Sequence, residues 1–154
     1  MKKCRFPYIA MVVLLVAGLF PTLTAHGDDA RINGVLITQN IEHIQLYAKV
    51  SNAFKRDMES AILAGVPTTF TFLLELYQER TLWPDRKVAR VEIKHTIKYD
   101  NIKKTFYVWT AGNQEPEGFQ DFETAKRAMT ELHGVVVASV KKLWKNTPTY
   151  LMIK

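Results

Sequence analysis

The sequence predicts an α+β fold: a mainly antiparallel β-sheet or β-sandwich with two short helices, after an N-terminal signal helix. Several stretches alternate apolar and polar residues, which is typical of strands with one buried face. Short turns separate these stretches, and only two segments show helical spacing of apolar residues. We expect antiparallel pairing, because the strands of a buried parallel sheet tend to be apolar throughout.

The N-terminal segment has the order of a secretory signal peptide. An uncharged, largely apolar stretch covers residues 6–23 and is broken by Pro21, which cannot continue a helix. Small residues follow, so cleavage is expected after Ala25 or after Gly27. The basic segment that precedes the apolar stretch consists of Lys2, Lys3 and Arg5. The sequence therefore predicts a signal peptide over residues 1–27 and export from the cytoplasm.

An uncleaved membrane anchor is the alternative interpretation of the same segment. Its uncharged length is near the roughly 20 residues that span a bilayer, although Pro7 and Pro21 shorten the usable helix. A lipoprotein is not expected, because Cys4 lies in the basic segment rather than at a cleavage site. In either case residues 28–154 are predicted to form one strand-rich globular domain. Membrane contact through the N-terminal segment is expected only if that segment is retained.

Cysteine content and charge exclude several classes of protein. Cys4 is the only cysteine, so the domain has no disulfide and no thiol chemistry. Its length of about 127 residues is enough to bury a core without such links. The first 27 positions hold three of the 21 basic residues and none of the 15 acidic ones, which leaves the domain at about +3. This modest charge gives no reason to expect a nucleic-acid partner.

Alternating stretches predict the strands in order. Residues 32–38 and 43–51 are separated by Asn40 and are expected to form a hairpin. Residues 68–79 alternate again, and residues 90–99 form the most regular strand of the chain. The remaining strand candidates are residues 105–109, the expected antiparallel partner of that regular strand, and residues 135–140 and 150–153.

Two short helices are predicted between these strands. Ser51 or Asn52 is expected to cap the first helix, and Gly65 to end it. Asp121 is expected to cap the second helix, and Gly134 to end it. Each helix carries one apolar stripe that should face the core. The stripes consist of Phe54, Met58, Ala61 and Ile62 in the first helix, and of Phe122, Ala125, Met129 and Leu132 in the second.

A series of motifs in the same order resembles a known family. The motifs are Ala64-Gly65-Val66-Pro67, the Trp83-Pro84-Asp85 turn, the hairpin of residues 97–108 and the sequence Phe119-Gln120-Asp121-Phe122-Glu123-Thr124-Ala125. On these residues the chain is identified as a member of an exported bacterial family known as domain of unknown function 4390. The resemblance implies an envelope protein without an established activity and supplies no catalytic residues. Members usually continue beyond residues 150–153, so this is either a short member or a chain cut at Lys154, and a cut would expose a sheet edge.

Candidate catalytic and metal-binding residues are few. His95 lies on the apolar face of its strand, between Ile93 and Ile97, where it could act as a ligand or a general base. No second histidine or carboxylate stands at metal spacing beside it, and a buried histidine with one hydrogen bond is the simpler interpretation. Glu75 and Glu79 would lie about 13 Å apart on one strand, too far for joint acid–base work. We therefore predict no catalytic residues, no metal and no cofactor.

A basic strand face and one tryptophan are the best candidates for partner binding. Period-two spacing places Arg90, Lys94 and Lys98 on one face, where they could meet anionic lipid head groups or an acidic partner. A solubilising sheet face is the simpler alternative. Trp83 lies in a Leu-Trp-Pro-Asp turn and is the candidate contact residue, because tryptophan buries a large area at low entropic cost.

The function predicted from the sequence is a non-enzymatic binding or accessory module of the periplasm or cell envelope. Its expected partner is an envelope protein or an anionic lipid surface. One alternative is a hydrolase-type enzyme with its site around His95, which would need a deep pocket and a carboxylate within hydrogen-bond reach. Another alternative is an assembly domain whose sheet edge near Tyr150 accepts a strand from a partner.

Overall fold

Eight β-strands and two α-helices make up residues 29–154, the part of the chain that the computed structural model describes. The predicted signal helix lies outside these residues. The elements in chain order are β1 (Arg31–Gln39), β2 (His43–Ser51), α1 (Arg56–Leu63), β3 (Thr68–Gln78), β4 (Arg86–Asp100), β5 (Thr105–Trp109), β6 (Glu117–Phe119), α2 (Phe122–Thr130), β7 (Glu131–Ser139) and β8 (Thr149–Ile153). A short 3₁₀ turn at Val140–Lys142 follows β7.

The strands form two antiparallel sheets. The three-stranded sheet has the order β1-β2-β7, and the five-stranded sheet has the order β6-β5-β4-β3-β8. Strands β3 to β6 pair with their neighbours in the chain, as short connections favour, whereas β7 returns to β2 and β8 returns to β3. The predicted antiparallel α+β fold with two short helices is confirmed. The short strand β6 was not predicted.

Alternating side chains of the two sheets meet in a shared core. Leu46 of β2 and Leu74 of β3 are both fully buried in it, and each contributes about 1.5–3 kcal/mol to folding. The predicted alternation of β4 is confirmed, since Ile93 and Ile97 are buried while Lys94 is exposed. The complete cluster consists of Ile44, Leu46, Ala48, Phe72, Leu74, Leu76, Ile93, Leu132, Val137 and Ala138.

A second core lies between the helices and the β4–β5 part of the five-stranded sheet. Its buried members are Ile62, Ile97, Phe106, Val108, Ala125 and Met129. The predicted stripe of α1 is confirmed at Ile62, which is fully buried, and at Met58, which packs against this cluster. Phe54 packs against it as well, but it lies before the first residue of the helix. Both helices therefore cover the half of the large sheet that the small sheet leaves open.

The two helices begin in different ways. The side chain of Asp121 accepts a hydrogen bond from the Thr124 amide at 2.7 Å, so this predicted N-cap is confirmed. Neither Ser51 nor Asn52 caps α1, because Ser51 belongs to β2 and Asn52 adopts a left-handed backbone conformation. The helix begins after Lys55, whose side chain makes no capping hydrogen bond.

The second helix ends earlier than the sequence predicted. It stops at Thr130, and β7 begins at once with Glu131, so Leu132 lies in a strand. Gly134 does not end the helix but adopts a φ of 61° inside β7. A Cβ atom at this position would lie 3.2 Å from the Tyr47 hydroxyl oxygen. The glycine therefore permits an irregular register between β7 and β2, which sequence patterning cannot distinguish from a helix end.

Candidate functional site: a cleft between two tryptophan loops

Two loops meet at the end of the sandwich where β3 ends. One connects β3 to β4 and carries Trp83, and the other connects β7 to β8 and carries Trp144. Both tryptophans line a cleft of about 820 Å³, together with Arg80, Leu82 and Asn146. We call this feature the tryptophan cleft. The sequence predicted a contact role for Trp83 but did not connect it with Trp144.

A buried amide holds the Trp144 loop in place. Gln78, the last residue of β3, is fully buried. Its Oε1 atom accepts a hydrogen bond from the Trp144 amide at 3.1 Å, and its Nε2 atom donates to the Trp144 carbonyl at 3.2 Å. Because a buried amide is costly unless it is paired, these bonds fix the loop backbone closely. The indole nevertheless stays half exposed at the cleft.

Two arginines contact the indole of Trp144. The guanidinium of Arg86 lies 4.4 Å from the ring centroid, and that of Arg80 lies 5.2 Å from it, both within cation–π range. Arg86 also donates to Gln78 Oε1 at 3.1 Å and to the Lys142 carbonyl at 3.2 Å. One side chain therefore links the strand end, the loop backbone and the aromatic ring.

A carboxylate closes the Trp83 loop. Asp85 accepts a hydrogen bond from the Tyr150 hydroxyl at 2.7 Å and another from the Arg80 amide at 3.3 Å. The bond to Asp85 raises the pKa of the Tyr150 hydroxyl, because it stabilises the protonated phenol. The Tyr150 ring stacks on Tyr77 at 5.4 Å. The loop is thus fixed at its base, while the side chain of Trp83 remains 72% exposed.

The predicted basic residues lie elsewhere, on the outer face of the five-stranded sheet. Arg90, Lys94 and Lys98 alternate with buried residues of β4, as predicted. Lys94 forms an ion pair with Glu92 at 2.9 Å, which partly neutralises this face. The structure does not combine the basic strip with Trp83, because the tryptophan cleft lies beyond the end of the strand.

A second carboxylate on the same outer face neutralises further lysines. Glu75 is 4% exposed and accepts hydrogen bonds from Lys87 at 2.5 Å and from Lys154 at 3.3 Å. The bond from Lys87 is the main reason why the pKa of Glu75 falls to about 2, although burial opposes the shift. Tyr77 donates to the same carboxylate at 3.3 Å. This pairing is typical of a structural ion pair on a sheet face.

A separate cavity of about 540 Å³ lies beside His95. The imidazole is buried, its Nδ1 atom lies 3.1 Å from the Met129 carbonyl, and burial lowers its pKa. Glu117 and Glu131 line the cavity, but within residues 29–154 no carboxylate forms a hydrogen bond or ion pair with His95. The carbonyl contact matches the simpler prediction of a buried, satisfied histidine.

The edge of the large sheet is only partly covered. β8 pairs with residues 74–78 of β3, and Lys154 pairs with Leu73 through two main-chain hydrogen bonds of 2.9 Å. Further along this edge, the main-chain groups of Thr69 and Thr71 also point away from β4. Within the described chain, no strand pairs with them. An apolar cavity of about 460 Å³ lies beside this stretch.

Two further properties concern residues 29–154 as a whole. No helix among them is long and apolar enough to cross a bilayer. The same residues contain no group of three histidine, cysteine, aspartate or glutamate side chains placed to hold a metal ion.

These features define a small α+β domain of two antiparallel sheets with a tryptophan-lined cleft at one end. The chain belongs to the family described as Domain of unknown function (DUF4390), whose model matches residues 27–154. No curated protein and no solved structure matches it. The family resemblance predicted from the sequence is confirmed.

Proposed function

We propose that this protein is an exported, non-enzymatic binding module of the cell envelope that contacts its partner through the tryptophan cleft. The observation that carries this proposal is the meeting of two exposed indoles at one cleft, on loops that side-chain hydrogen bonds hold in place. The buried Gln78 amide holds Trp144, and the Asp85 carboxylate holds the Trp83 loop. Aromatic side chains exposed around a cleft are favourable contact residues, because they bury a large area on binding and lose little conformational entropy.

Export rests on the N-terminal sequence. The basic, apolar and small segments of residues 1–27 have the order of a signal peptide, and the periplasm or cell envelope is the proposed location. N-terminal sequencing of the protein from fractionated cells tests this point. A start at His26 or Asp28 in the envelope fraction would support processing, whereas an intact Met1 in the cytoplasmic fraction would contradict export.

Capture of partners from a solubilised envelope extract tests the binding role. We expect the wild-type chain to retain a reproducible set of proteins or lipids, identified by mass spectrometry. Replacement of Trp83 and Trp144 by alanine should remove them, whereas replacement of Trp109, which lies in β5, by phenylalanine should not. Equal capture by all three proteins would contradict a role of the cleft.

Strand addition is a second candidate function, favoured by the open edge of β3. An extended partner segment could pair with Thr69 and Thr71 and place apolar side chains in the cavity beside Phe70 and Phe72. Hydrogen exchange of the β3 amides, measured with and without the captured partner, tests this candidate. Protection confined to residues 68–72 would favour strand addition, and protection confined to the two tryptophan loops would favour the cleft.

A further inference from the structure

Three large apolar side chains are exposed at the end of the molecule that carries the tryptophan cleft. Leu82 is 89% exposed, next to the exposed Trp83, and Trp144 is 50% exposed across the cleft. We call these three residues the tryptophan tip. Exposed clusters of large apolar side chains with a polar rim mark sites of interaction with proteins or membranes.

Basic residues are concentrated in and beside the two loops that carry this apolar tip. Three exposed lysines lie within three residues of Trp144, and within residues 29–154 none of them forms an ion pair: Lys141, Lys142 and Lys145, named here the tip lysines. Arg80 and Arg86 add two more positive charges beside the indole. Two carboxylates lie near the tip: Glu79, which is exposed and lines the cleft, and Asp85, which accepts a hydrogen bond from Tyr150. The three lysines and two arginines outnumber the two carboxylates, so the net charge around the tip is complementary to an anionic surface.

The combination of residues favours a lipid surface over a protein surface. Lysine is depleted in protein–protein interfaces, because its flexible, strongly hydrated ammonium is costly to bury there. At a membrane surface the ammonium groups stay in the hydrated head-group layer, where each adds favourable energy with anionic lipids. Tryptophan and lysine beside an exposed leucine are typical of that interface.

The position of the tip in the fold leaves it free to reach such a surface. The described chain begins beside β1, and Ile32 lines a cavity with Thr69 and Phe70 at the start of β3. The tip lies beyond Gln78, at the other end of that 11-residue strand. At roughly 3.3 Å per residue the two ends of β3 are about 33 Å apart, so the start of the described chain lies far from the tip.

We propose that the tryptophan tip docks on anionic lipid bilayers, with Leu82 and Trp83 inserted among the head groups and the tip lysines against the lipid phosphates. This inference rests on the proposed binding role of the tryptophan cleft and names its partner as a membrane surface.

Fluorescence quenching by brominated lipids tests insertion directly in the full chain, because residues 1–27 contain no tryptophan. The Trp109→Phe variant reports only the tip, and a Trp83→Phe/Trp144→Phe double variant reports only Trp109 as a matched control. With phosphatidylglycerol vesicles we expect several-fold stronger quenching in the first variant than in the second. Equal quenching, or none in the Trp109→Phe variant, would overturn the proposal.

Charge reversal tests the role of the lysines. Changing all tip lysines to glutamate should reduce partitioning onto phosphatidylglycerol vesicles by at least about tenfold, since each cation near an anionic surface contributes appreciably. The matched control reverses Arg90, Lys94 and Lys98 on the outer sheet face and changes the net charge equally. Circular dichroism should show both variants folded. A larger loss in the control than in the tip variant would overturn the proposal.

Failure of this inference differs from failure of the proposed function. If the tip tryptophans stay unquenched while envelope proteins are still captured in a Trp83-dependent manner, membrane docking is wrong and the binding role stands. If neither vesicles nor extract components depend on Trp83, both are wrong. Neutral phosphatidylcholine vesicles should bind weakly, and equal binding to neutral and anionic vesicles would contradict the role given to the lysines.

Discussion

The side-chain amide of Gln78 forms two hydrogen bonds with the main chain of Trp144, which lies 66 residues further along the chain. A fully buried polar residue at the end of a strand thereby fixes an exposed aromatic residue on a loop. The free energy needed to bury the amide is recovered only if both bonds form. The same contact therefore supports both the fold and the candidate site.

Replacement of Gln78 by leucine should release the Trp144 loop. We expect the free energy of unfolding to fall by about 2–4 kcal/mol, because the Trp144 amide and Arg86 lose a buried partner. Urea unfolding measures this change. Gln45→Leu is the control, since Gln45 lies on the other sheet, and it should change the free energy by less than about 0.5 kcal/mol. Equal losses of stability in the two variants would contradict the role of Gln78 in holding the Trp144 loop.

A leucine pair distinguishes core from surface. Leu46→Ala should lower the free energy of unfolding by about 2–5 kcal/mol, because it opens a cavity between the two sheets. Leu82→Ala removes the same atoms from an 89% exposed side chain and should change the free energy by less than about 0.5 kcal/mol. Thermal or urea unfolding gives both values. A large loss in Leu82→Ala would mean that the tip is packed in solution.

Glu75 should make stability depend on acid pH. Its pKa is about 2 in the folded protein against an ordinary value of 4.5, so the unfolded chain takes up a proton first as the pH falls. The contribution of ionised Glu75 to the free energy of unfolding is fully present above pH 4.5 and is lost between pH 4.5 and about 2. Unfolding measured across this range should show a weaker pH dependence in Glu75→Gln than in wild type. An equal pH dependence in the two proteins would contradict this role of Glu75.

His95 should make the folded protein less stable at mildly acidic pH, where its imidazole is protonated more readily in the unfolded chain. Burial lowers its pKa from the ordinary value of 6.5, so the unfolded chain binds a proton more readily. We expect full stability above pH 6.5 and a progressive loss below it. His95→Gln keeps a donor for the Met129 carbonyl and should remove this loss. An unchanged loss in this variant would contradict the role given to His95. Urea unfolding at pH 8 and at pH 5.5 provides the measurement.

The two helix starts give opposite predictions. Asp121→Ala should lower the free energy of unfolding by about 0.5–2 kcal/mol, because the Thr124 amide loses its acceptor. Lys55→Asp should raise it by about 0.5–1 kcal/mol, since α1 has extended backbone but no side-chain cap at this position. Thermal unfolding of the two variants checks both signs. A loss of stability in Lys55→Asp would show that its ammonium has another role.

Much of the local structure was predictable because it depends on short-range periodicity. In the regular strand 90–99 and its partner 105–109, apolar residues alternate with polar ones along the sequence, and most of the apolar ones point into the two cores. The Asp121 cap was readable for the same reason, since its hydrogen bond spans three residues. The helix end at Gly134 was predicted wrongly because a glycine with positive φ serves equally well at a helix end and at a strand irregularity.

The candidate site was predictable only in part. A contact role was predicted for Trp83 from its turn and stays a prediction, whereas the outward position of Arg90, Lys94 and Lys98 followed from alternation. Their separation from Trp83, and the ion pair that partly neutralises them, could not be read from spacing along the chain.

By itself, the sequence determined most of the strand and helix segments, the family, and the faces that alternation buries or exposes, because neighbouring residues carry those signals. The strand β6 and the end of α2 were the exceptions. The tertiary structure alone decided that Trp144 joins Trp83 at one cleft, and that Gln78 holds it there. Contacts between residues so far apart depend on how β8 returns to β3 and how two sheets stack. Those arrangements arise from the packing of the whole core, which no local pattern records.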